Sequence, residues 1–179
     1  MSRPELSEKV KLIMSLFSPE KALIESVMES LVRQYGEADW ISPEMFFDRT
    51  RYYEKEMGWP LHRRFLSFKK LIPPEMLVEV KLGTNDLETA FLKGQKRRIN
   101  IDPGYISLER LVLATGKNYI HRIYLGKGIY ADLTLVFKRG GFVPLEWTYP
   151  DYADPKMIDD FNTIRSRYLD RLREEKQID

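Results

Sequence analysis

Residues able to bind a phosphate or to exchange protons are concentrated in the segment KNYIHRIYLGKGIY, residues 117–130. Cationic side chains at a turn can hold a phosphate, and an imidazole near a carboxylate can act in acid–base catalysis. On this basis we take His121 and Glu146 as candidate catalytic residues. The candidate ligand-binding residues are Arg64, Lys117, Arg122, Lys127, Tyr124 and Asn100.

The strand register of this segment decides which way its side chains point. In IYADLTLVF, residues 129–137, the odd positions are apolar, which predicts that they face the core. A three-residue loop at 126–128 would place Arg122 opposite Asp132. It would also turn His121 toward the core face. A two-residue loop would reverse this parity and bury Arg122 without its aspartate, so the three-residue loop is favoured.

The next turn, at residues 139–141, would place Glu146 on the same core face as His121. Two polar groups on an otherwise apolar face have two interpretations. Both could be satisfied by hydrogen bonds at the sheet edge or under the helices. Alternatively, they could line a pocket in which the carboxylate shifts the pKa of the imidazole for acid–base work. The sequence leaves both interpretations open.

Carboxylates in two other segments suggest a site for a hard cation. Asp48 and Glu56 lie in the aromatic segment FFDRTRYYEKEMG, residues 46–58, and Asp102 lies in NIDPGY, where Pro103-Gly104 predicts a turn. Carboxylate oxygens are ligands that Mg²⁺ prefers in proteins. These three residues are therefore candidate Mg²⁺ ligands, although charged turns packed under tyrosines would have the same composition.

The hydrophobic pattern predicts a single α+β domain over residues 1–179. The predicted strands cover residues 10–18, 38–48, 62–72, 96–102, 118–125, 129–137 and 142–149. The predicted helices cover residues 19–35, 73–94 and 107–116 and a C-terminal segment that begins at Asp154-Pro155, with residues 171–179 as a frayed tail. The resulting order is βαββαβ, which matches the ferredoxin-like pattern of a mostly antiparallel sheet, followed by a helix, a three-stranded meander and a closing helix. For residues 74–93, apolar alternation leaves a strand followed by a helix as an alternative to one helix.

The composition excludes several classes of protein. The chain has no cysteine, so it has no disulfides, thiolate metal sites or cysteine nucleophiles. Its 29 Lys and Arg against 27 Asp and Glu give a net charge of +2, so affinity for an anion must come from a local patch. No apolar stretch approaches the length of a membrane span, and the first residues lack an apolar signal region. We therefore expect a cytoplasmic protein without a membrane partner.

Several strings of the sequence together resemble one prokaryotic domain family of unknown function and of about this length. They are FFDRTRYYEKEMG, RRFLSFKKLI, NIDPGYISL, HRIYLGKGIYADLTL and FVPLEWTYPDY. The resemblance covers nearly the whole chain and brings no established activity with it. Some members of the family carry the label GTP-binding protein. The chain lacks the P-loop pattern G-x-x-x-x-G-K-[ST], because Gly126-Lys127 is followed by glycine and Gly116-Lys117 by asparagine.

Three kinds of function fit these residues. The first is binding of a phosphate-bearing ligand, such as a nucleotide or an RNA end, through the basic and aromatic hairpin. The second is a non-catalytic domain that binds single-stranded RNA on exposed tyrosines or binds another protein. The third is a two-histidine phosphoesterase using His62 and His121, although the hydroxyl residues that such enzymes need two positions later are replaced by Arg64 and Ile123. The sequence does not decide whether the protein is an enzyme.

Overall fold

The computed structural model describes residues 3–48 and 51–178 and is an α+β fold, as predicted. The strands are β1 (Val10–Ser18), β2 (Ala38–Ile41), β3 (Met45–Phe46), β4 (His62–Ile72), β5 (Asn100–Ile106), β6 (Arg110–Thr115), β7 (Arg122–Gly126), β8 (Ile129–Lys138) and β9 (Gly141–Pro144). The helices are α1 (Lys21–Tyr35), α2 (Glu54–Met57), α3 (Leu77–Ala90) and α4 (Pro155–Ile178), and one 3-10 turn (Pro74–Met76) leads into α3. Residues 49 and 50 of the aromatic segment and residue 179 of the predicted tail lie outside the described residues.

The strands form one antiparallel sheet in the order β2-β4-β1-β5-β6-β8-β7, with β3 paired to β4 and β9 to β8. The first four strands in this order, β2, β4, β1 and β5, are connected through α1 and α3 as in the ferredoxin-like arrangement. This prediction is therefore confirmed. The later strands extend the sheet beyond β5. Both β7 and β9 pair with the edge of β8 that faces away from β6, β7 over residues 129–132 and β9 over residues 135–138.

Helices cover both faces of the sheet, and β1 in the middle is buried along its whole length. Leu12, Met14 and Leu16 face α1, whose apolar residues recur every three or four positions, while Ile13 faces α4. A strand covered on both sides is apolar at nearly every position instead of alternating. The mainly apolar run at residues 10–18, in which only Lys11, Ser15 and Ser18 are polar, has this cause.

The helix predicted at residues 107–116 is wrong, because RLVLAT at residues 110–115 forms β6. Leu111 and Leu113 pack on the α4 face, and Val112 and Ala114 pack on the α3 face. The backbone N–H of Ser107 donates to the carbonyl of Arg110, which makes a tight turn after β5 instead of a helix start. A short apolar run does not by itself distinguish a buried strand from a helix.

The helix interpretation of residues 73–94 is confirmed for the 3-10 turn and α3, which end at Ala90. The C-terminal helix also forms, and it continues to Ile178 where a frayed tail was predicted. Leu172 packs in the core, and Arg171 pairs with Glu175 one turn later. Among the described residues no helix combines the length and the apolar character needed to cross a membrane.

Two irregularities correct the predicted register of β8. Thr134 is an extra residue between the pairs Leu111–Leu135 and Val112–Leu133. This bulge turns Leu135 to the α4 face while Leu133 stays on the α3 face, so the odd positions do not share one face.

The hairpin turn contains two residues, Lys127 and Gly128, both with positive φ, where a three-residue loop was predicted. A second bulge beside this turn restores the parity, so Arg122 still pairs with Asp132, as predicted.

Pro103 and Gly104 lie inside β5 and not at the predicted turn. A Cβ added to Gly104 would lie 2.4 Å from the carbonyl oxygen of Val112, so only glycine allows β5 and β6 to approach here.

We expect Gly104→Ala to lower the free energy of unfolding by about 1–3 kcal/mol, measured by urea denaturation. Gly116→Ala is the control, because the backbone oxygen of Gly128 would be the nearest atom to its Cβ, at 4.0 Å. Equal losses in the two variants would contradict this explanation.

Candidate functional site

A cavity of about 780 Å³ lies over the sheet at the end where β5 separates from β6. Its floor is the sheet face that carries α4 farther along, and Phe47, Tyr52, Tyr53 and residues 149–152 form its walls. The charged side chains in its lining are Arg63, Lys81, Glu88, Arg97, Asp102, Lys117, Arg122, Asp132 and Asp151. Five cations and four carboxylates leave a formal excess of one positive charge.

The separation of β5 from β6 creates the space for this cavity. The two strands pair only over Gly104–Ile106 of β5, and residues 100–103 have no strand on that side. Side chains of α3 form hydrogen bonds with the backbone groups of β5 that have no partner strand there. Lys81 Nζ donates to the Ile101 carbonyl at 3.0 Å, and Glu88 accepts from the Ile101 N–H at 2.6 Å. Burial raises the pKa of Glu88.

Arg63 of β4 projects from the sheet into the cavity and is buried. Its Nε donates to Ser15 Oγ at 2.8 Å, and its guanidinium forms an ion pair with Asp151 on the opposite wall. The guanidinium carbon also lies 4.5 Å from the ring centroid of Phe65 and 5.3 Å from that of Tyr152. These contacts fix the position of a cation that would otherwise be costly to bury.

A hydrogen-bonded chain joins two predicted site residues, Asn100 and Asp102. Arg97 donates to Asn100 Oδ1 at 2.8 Å and to Glu56 at 2.9 Å, and Asn100 Nδ2 donates to Asp102 at 2.7 Å. Arg97 Nε is buried and has no hydrogen-bond partner among the described residues. The structure therefore places Asn100 and Asp102 together in the cavity, with Glu56 behind them.

The predicted metal ligands do not converge. A cation, Arg97, occupies the space between Glu56 and the Asn100–Asp102 pair, and Asp48 is an exposed residue that does not line the cavity. Over residues 3–48 and 51–178, no three acidic or histidine side chains are grouped as metal ligands. The geometry gives the proposed Mg²⁺ site no support.

Arg122 and Lys117 lie on the side of the cavity nearest the hairpin. Arg122 Nε donates to Asp132 at 2.8 Å, one Nη donates to the Lys117 carbonyl at 3.0 Å, and the other donates to the Tyr149 hydroxyl at 2.7 Å. Arg122 thus ties the loop before β7 to the wall after β9. The exposed Lys117 ammonium lies 5.6 Å from the ring centroid of Tyr52 and has no carboxylate partner in the described part of the chain.

Three predicted ligand-binding residues lie outside the cavity. Lys127 at the hairpin turn pairs with Glu79 of α3 at 2.5 Å. Arg64 pairs with Glu25 at 3.4 Å. Tyr124 packs on its cross-strand neighbour with ring centroids 5.1 Å apart. The tip of the hairpin is therefore not part of the cavity, whereas the loop that precedes it is.

His121 and Glu146 lie together in a shallow depression beside the cavity. The His121 ring stacks on Trp147 at 4.9 Å, and its Nε2 lies 3.3 Å from Asp132 Oδ2. Glu146 is exposed, because β9 ends at Pro144, so its predicted place on the core face is wrong. The pair does not share a cavity with Asp102.

The sequence reasoning missed Arg63, Lys81, Glu88, Arg97 and Asp151. One signal was available, since Arg63 has the same strand parity as the core residue Phe65. The tyrosines of the cavity come from the aromatic segment at residues 46–58 and from FVPLEWTYPDY at residues 142–152, two strings that carry the family resemblance. Burial, helped by the charge of Asp102, raises the pKa of Tyr53 to about 12, so this wall keeps its phenol protonated.

Comparisons with known proteins agree with the resemblance seen in the sequence. No curated protein and no solved structure shows significant similarity to the chain. The sequence profile of one family, described as Domain of unknown function (DUF4416), matches residues 8–168. The chain therefore belongs to this family of uncharacterised domains.

Proposed function

We propose that the chain binds a small phosphate-bearing molecule, with a nucleotide as the first candidate, in the cavity between β5 and β6. The observation that carries this proposal is a cavity with an excess of positive charge whose Lys117 ammonium lacks a carboxylate partner among the described residues. Its volume of about 780 Å³ lies within the roughly 300–1,000 Å³ of small-molecule sites.

The charges of the cavity favour a ligand over a purely structural role. Buried ion pairs contribute little net stability, because desolvation offsets their attraction. Here several of them face one space instead of being enclosed by apolar packing. One buried polar atom on the lining, Arg97 Nε, also has no hydrogen-bond partner among the described residues. A polar ligand would satisfy such atoms.

The arrangement divides the cavity into two parts. Lys117, Lys81 and Arg63 have donor capacity left for phosphate oxygens, since each has N–H groups beyond the bonds described above. Tyr52 and Tyr149 present aromatic rings on which a base could stack. Asp102 and Asn100 lie beside these groups and can exchange hydrogen bonds with a sugar hydroxyl or a base edge.

This proposal changes the location that the sequence suggested. The hairpin contributes through Lys117 and Arg122 at its base, and the exposed tip does not take part. A cavity of this size suits a single nucleotide or the end of an RNA better than a continuous RNA strand. We assign no reaction to the site, and the cytoplasmic location expected from the sequence suits a ligand of this class.

Thermal-shift measurements test the proposal directly. The probes are nucleoside mono-, di- and triphosphates, phosphorylated sugars, inorganic phosphate and an unphosphorylated nucleoside. A ligand present at a hundred times its Kd should stabilise the fold by about 2.7 kcal/mol and raise Tm. Tm should rise with probes that carry a phosphate and not with the unphosphorylated nucleoside. No shift with any phosphate compound would overturn the proposal.

Replacing Lys117 by methionine should weaken binding of the best probe by roughly ten- to a hundredfold, because one charge-assisted hydrogen bond is lost. Isothermal titration calorimetry measures the change in Kd. Lys127→Met is the matched control, because Lys127 is also an exposed lysine of the same segment but lies outside the cavity. Equal weakening in both variants would indicate general charge attraction and contradict the assignment.

A further inference from the structure

The depression that holds His121 and Glu146 adjoins the cavity. It has a volume of about 560 Å³. Arg122 and Tyr149 belong to the linings of both, so the two spaces meet at these side chains. The Tyr149 hydroxyl accepts from Arg122 at 2.7 Å, which fixes the boundary between them. The proposed phosphate site uses only the cavity and leaves the depression without a role.

The indole ring of Trp147 is held in the depression at two points. Its Nε1 donates to the carbonyl of Leu133 at 2.7 Å, and its ring stacks on that of His121 at 4.9 Å. The His121 side chain is buried, and its Nδ1 has no hydrogen-bond partner among the described residues. An unpaired buried nitrogen costs stability, so packing alone does not account for this stack. Trp147 itself remains 37% exposed, which leaves part of a fixed aromatic ring open to a ligand.

Two further side chains give the depression an apolar surface. Ile120 is 91% exposed, and Tyr119 is also exposed. Both line the depression, and the Tyr119 ring meets that of His121 edge to face, with centroids 5.6 Å apart. Exposed apolar side chains that cluster in one place are typical of a binding surface. The depression therefore offers a surface on which a flat ring can stack.

The charges of the depression favour an uncharged ring over a phosphate. The charged side chains in its lining are Arg122 and Glu146, so their formal charges cancel. Asp132 already pairs with Arg122 at 2.8 Å, whereas Glu146 is exposed and would repel an anion. The cavity, in contrast, has an excess of positive charge. A phosphate suits the cavity, and a neutral ring suits the depression.

We propose that the ligand contains two nucleosides joined by a phosphodiester, with one base in the cavity and the second base stacked on Trp147 in the depression. This inference rests on the proposed function of the cavity. Arg122 lies where the linking phosphate would pass. Three of its five N–H groups donate to Asp132, Tyr149 and the Lys117 carbonyl, so two remain for that phosphate. A free dinucleotide and the end of a single-stranded RNA both contain this unit.

Calorimetric titration with diadenylate carrying a 5′-phosphate tests the second base site. ADP is the matched ligand, because it has a similar negative charge and lacks the second base. The dinucleotide should bind about tenfold more tightly than ADP, since one more base is stacked. Trp147→Ala should abolish this difference, and Tyr119→Ala should reduce it. Tyr124→Ala should retain it, because Tyr124 is an exposed tyrosine of the same segment that lies outside both spaces.

Circular dichroism establishes that each variant is folded, and Tyr119→Ala decides the matter if Trp147→Ala is not. Equal affinities of wild type for the dinucleotide and ADP would overturn the inference, while ADP binding would still support the cavity. Absence of binding by every phosphate compound would overturn both proposals. A difference that persists in the Trp147 and Tyr119 variants, or that is lost equally in Tyr124→Ala, would also overturn the inference.

Hexaadenylate with a 5′-phosphate distinguishes the two sources of the ligand. Affinity at least equal to that of the dinucleotide would indicate an RNA end, because the remaining nucleotides would then extend into solvent. Weaker binding would indicate a free dinucleotide. Either result, together with the advantage of the dinucleotide over ADP, supports a site for two bases.

Discussion

Replacing Asp39 by alanine is expected to lower the free energy of unfolding by about 3–5 kcal/mol, because it leaves a buried ammonium group without a counter-charge. The Lys11 side chain has no exposed surface, and its Nζ forms an ion pair with Asp39 of β2. Asp39 also accepts from Ser67 Oγ at 2.6 Å. Urea denaturation followed by circular dichroism measures the loss.

The double variant Lys11→Met with Asp39→Ala should recover most of this stability, since methionine needs no partner in an apolar environment. Recovery distinguishes an unpaired charge from a general defect in β2. A double variant no more stable than Asp39→Ala would refute the explanation.

The pH dependence of Asp39→Ala has a defined sign. Burial lowers the pKa of Lys11 from 10.5, and the Asp39 carboxylate opposes this effect. Without Asp39 the folded-state pKa falls further. Between that pKa and 10.5, the unfolded chain holds a proton that the folded chain has lost, so stability should rise with pH. The deficit relative to wild type should therefore shrink as pH increases between the folded-state pKa of Lys11 in the variant and that in wild type, because wild-type Lys11 still holds its proton there.

The second large effect is expected for Asp151→Ala, which should also cost about 3–5 kcal/mol. The Arg63 side chain is 6% exposed, and Asp151 is its only carboxylate partner among the described residues. Arginine does not lose its proton in proteins, so the deficit should not shrink with rising pH as it does for Lys11. The variant should also lose affinity for the cavity ligand, because the ion pair joins the wall at residues 149–152 to the sheet.

The neighbouring residue supplies a matched control for this effect. Arg64 pairs with Glu25, whose side chain is 57% exposed. Glu25→Ala should cost only about 0–1 kcal/mol, because solvent screens an exposed pair. Similar losses in Asp151→Ala and Glu25→Ala would show that burial of Arg63 is not the cause. Urea denaturation and calorimetric titration with the best probe provide the two readouts.

Local patterns predicted the elements well where one residue type marked a boundary. Apolar residues that recur every three or four positions between residue 19 and Gly36 predicted α1. Asp154-Pro155 predicted the start of α4. The pattern failed at residues 107–116, where burial on both sides hides the alternation that identifies a strand. The bulge at Thr134 could not be predicted either, because it depends on how β6 pairs with β8.

The candidate site was predictable only in its local parts. The pairing of Arg122 with Asp132 was predicted from a three-residue loop, and it is correct because a bulge offsets the shorter turn. Lys117 is close to Arg122 in the chain, so the sequence also grouped these two residues. The cavity also needs Arg63 and Lys81, which come from a distant strand and helix. No sequence spacing relates these residues. Their meeting depends on the sheet order and on the short pairing of β5 with β6.

The two α3 side chains that hydrogen-bond the backbone of Ile101 tie the cavity to the edge of the sheet. Lys81 donates one of its three N–H groups to the Ile101 carbonyl, and one oxygen of Glu88 accepts from the Ile101 N–H. A ligand that binds the remaining N–H groups of Lys81 leaves both main-chain hydrogen bonds intact, whereas a ligand that displaces either side chain from Ile101 also leaves a strand edge unpaired and loses affinity. The open edge of β5 therefore selects for ligands that bind Lys81 without displacing it.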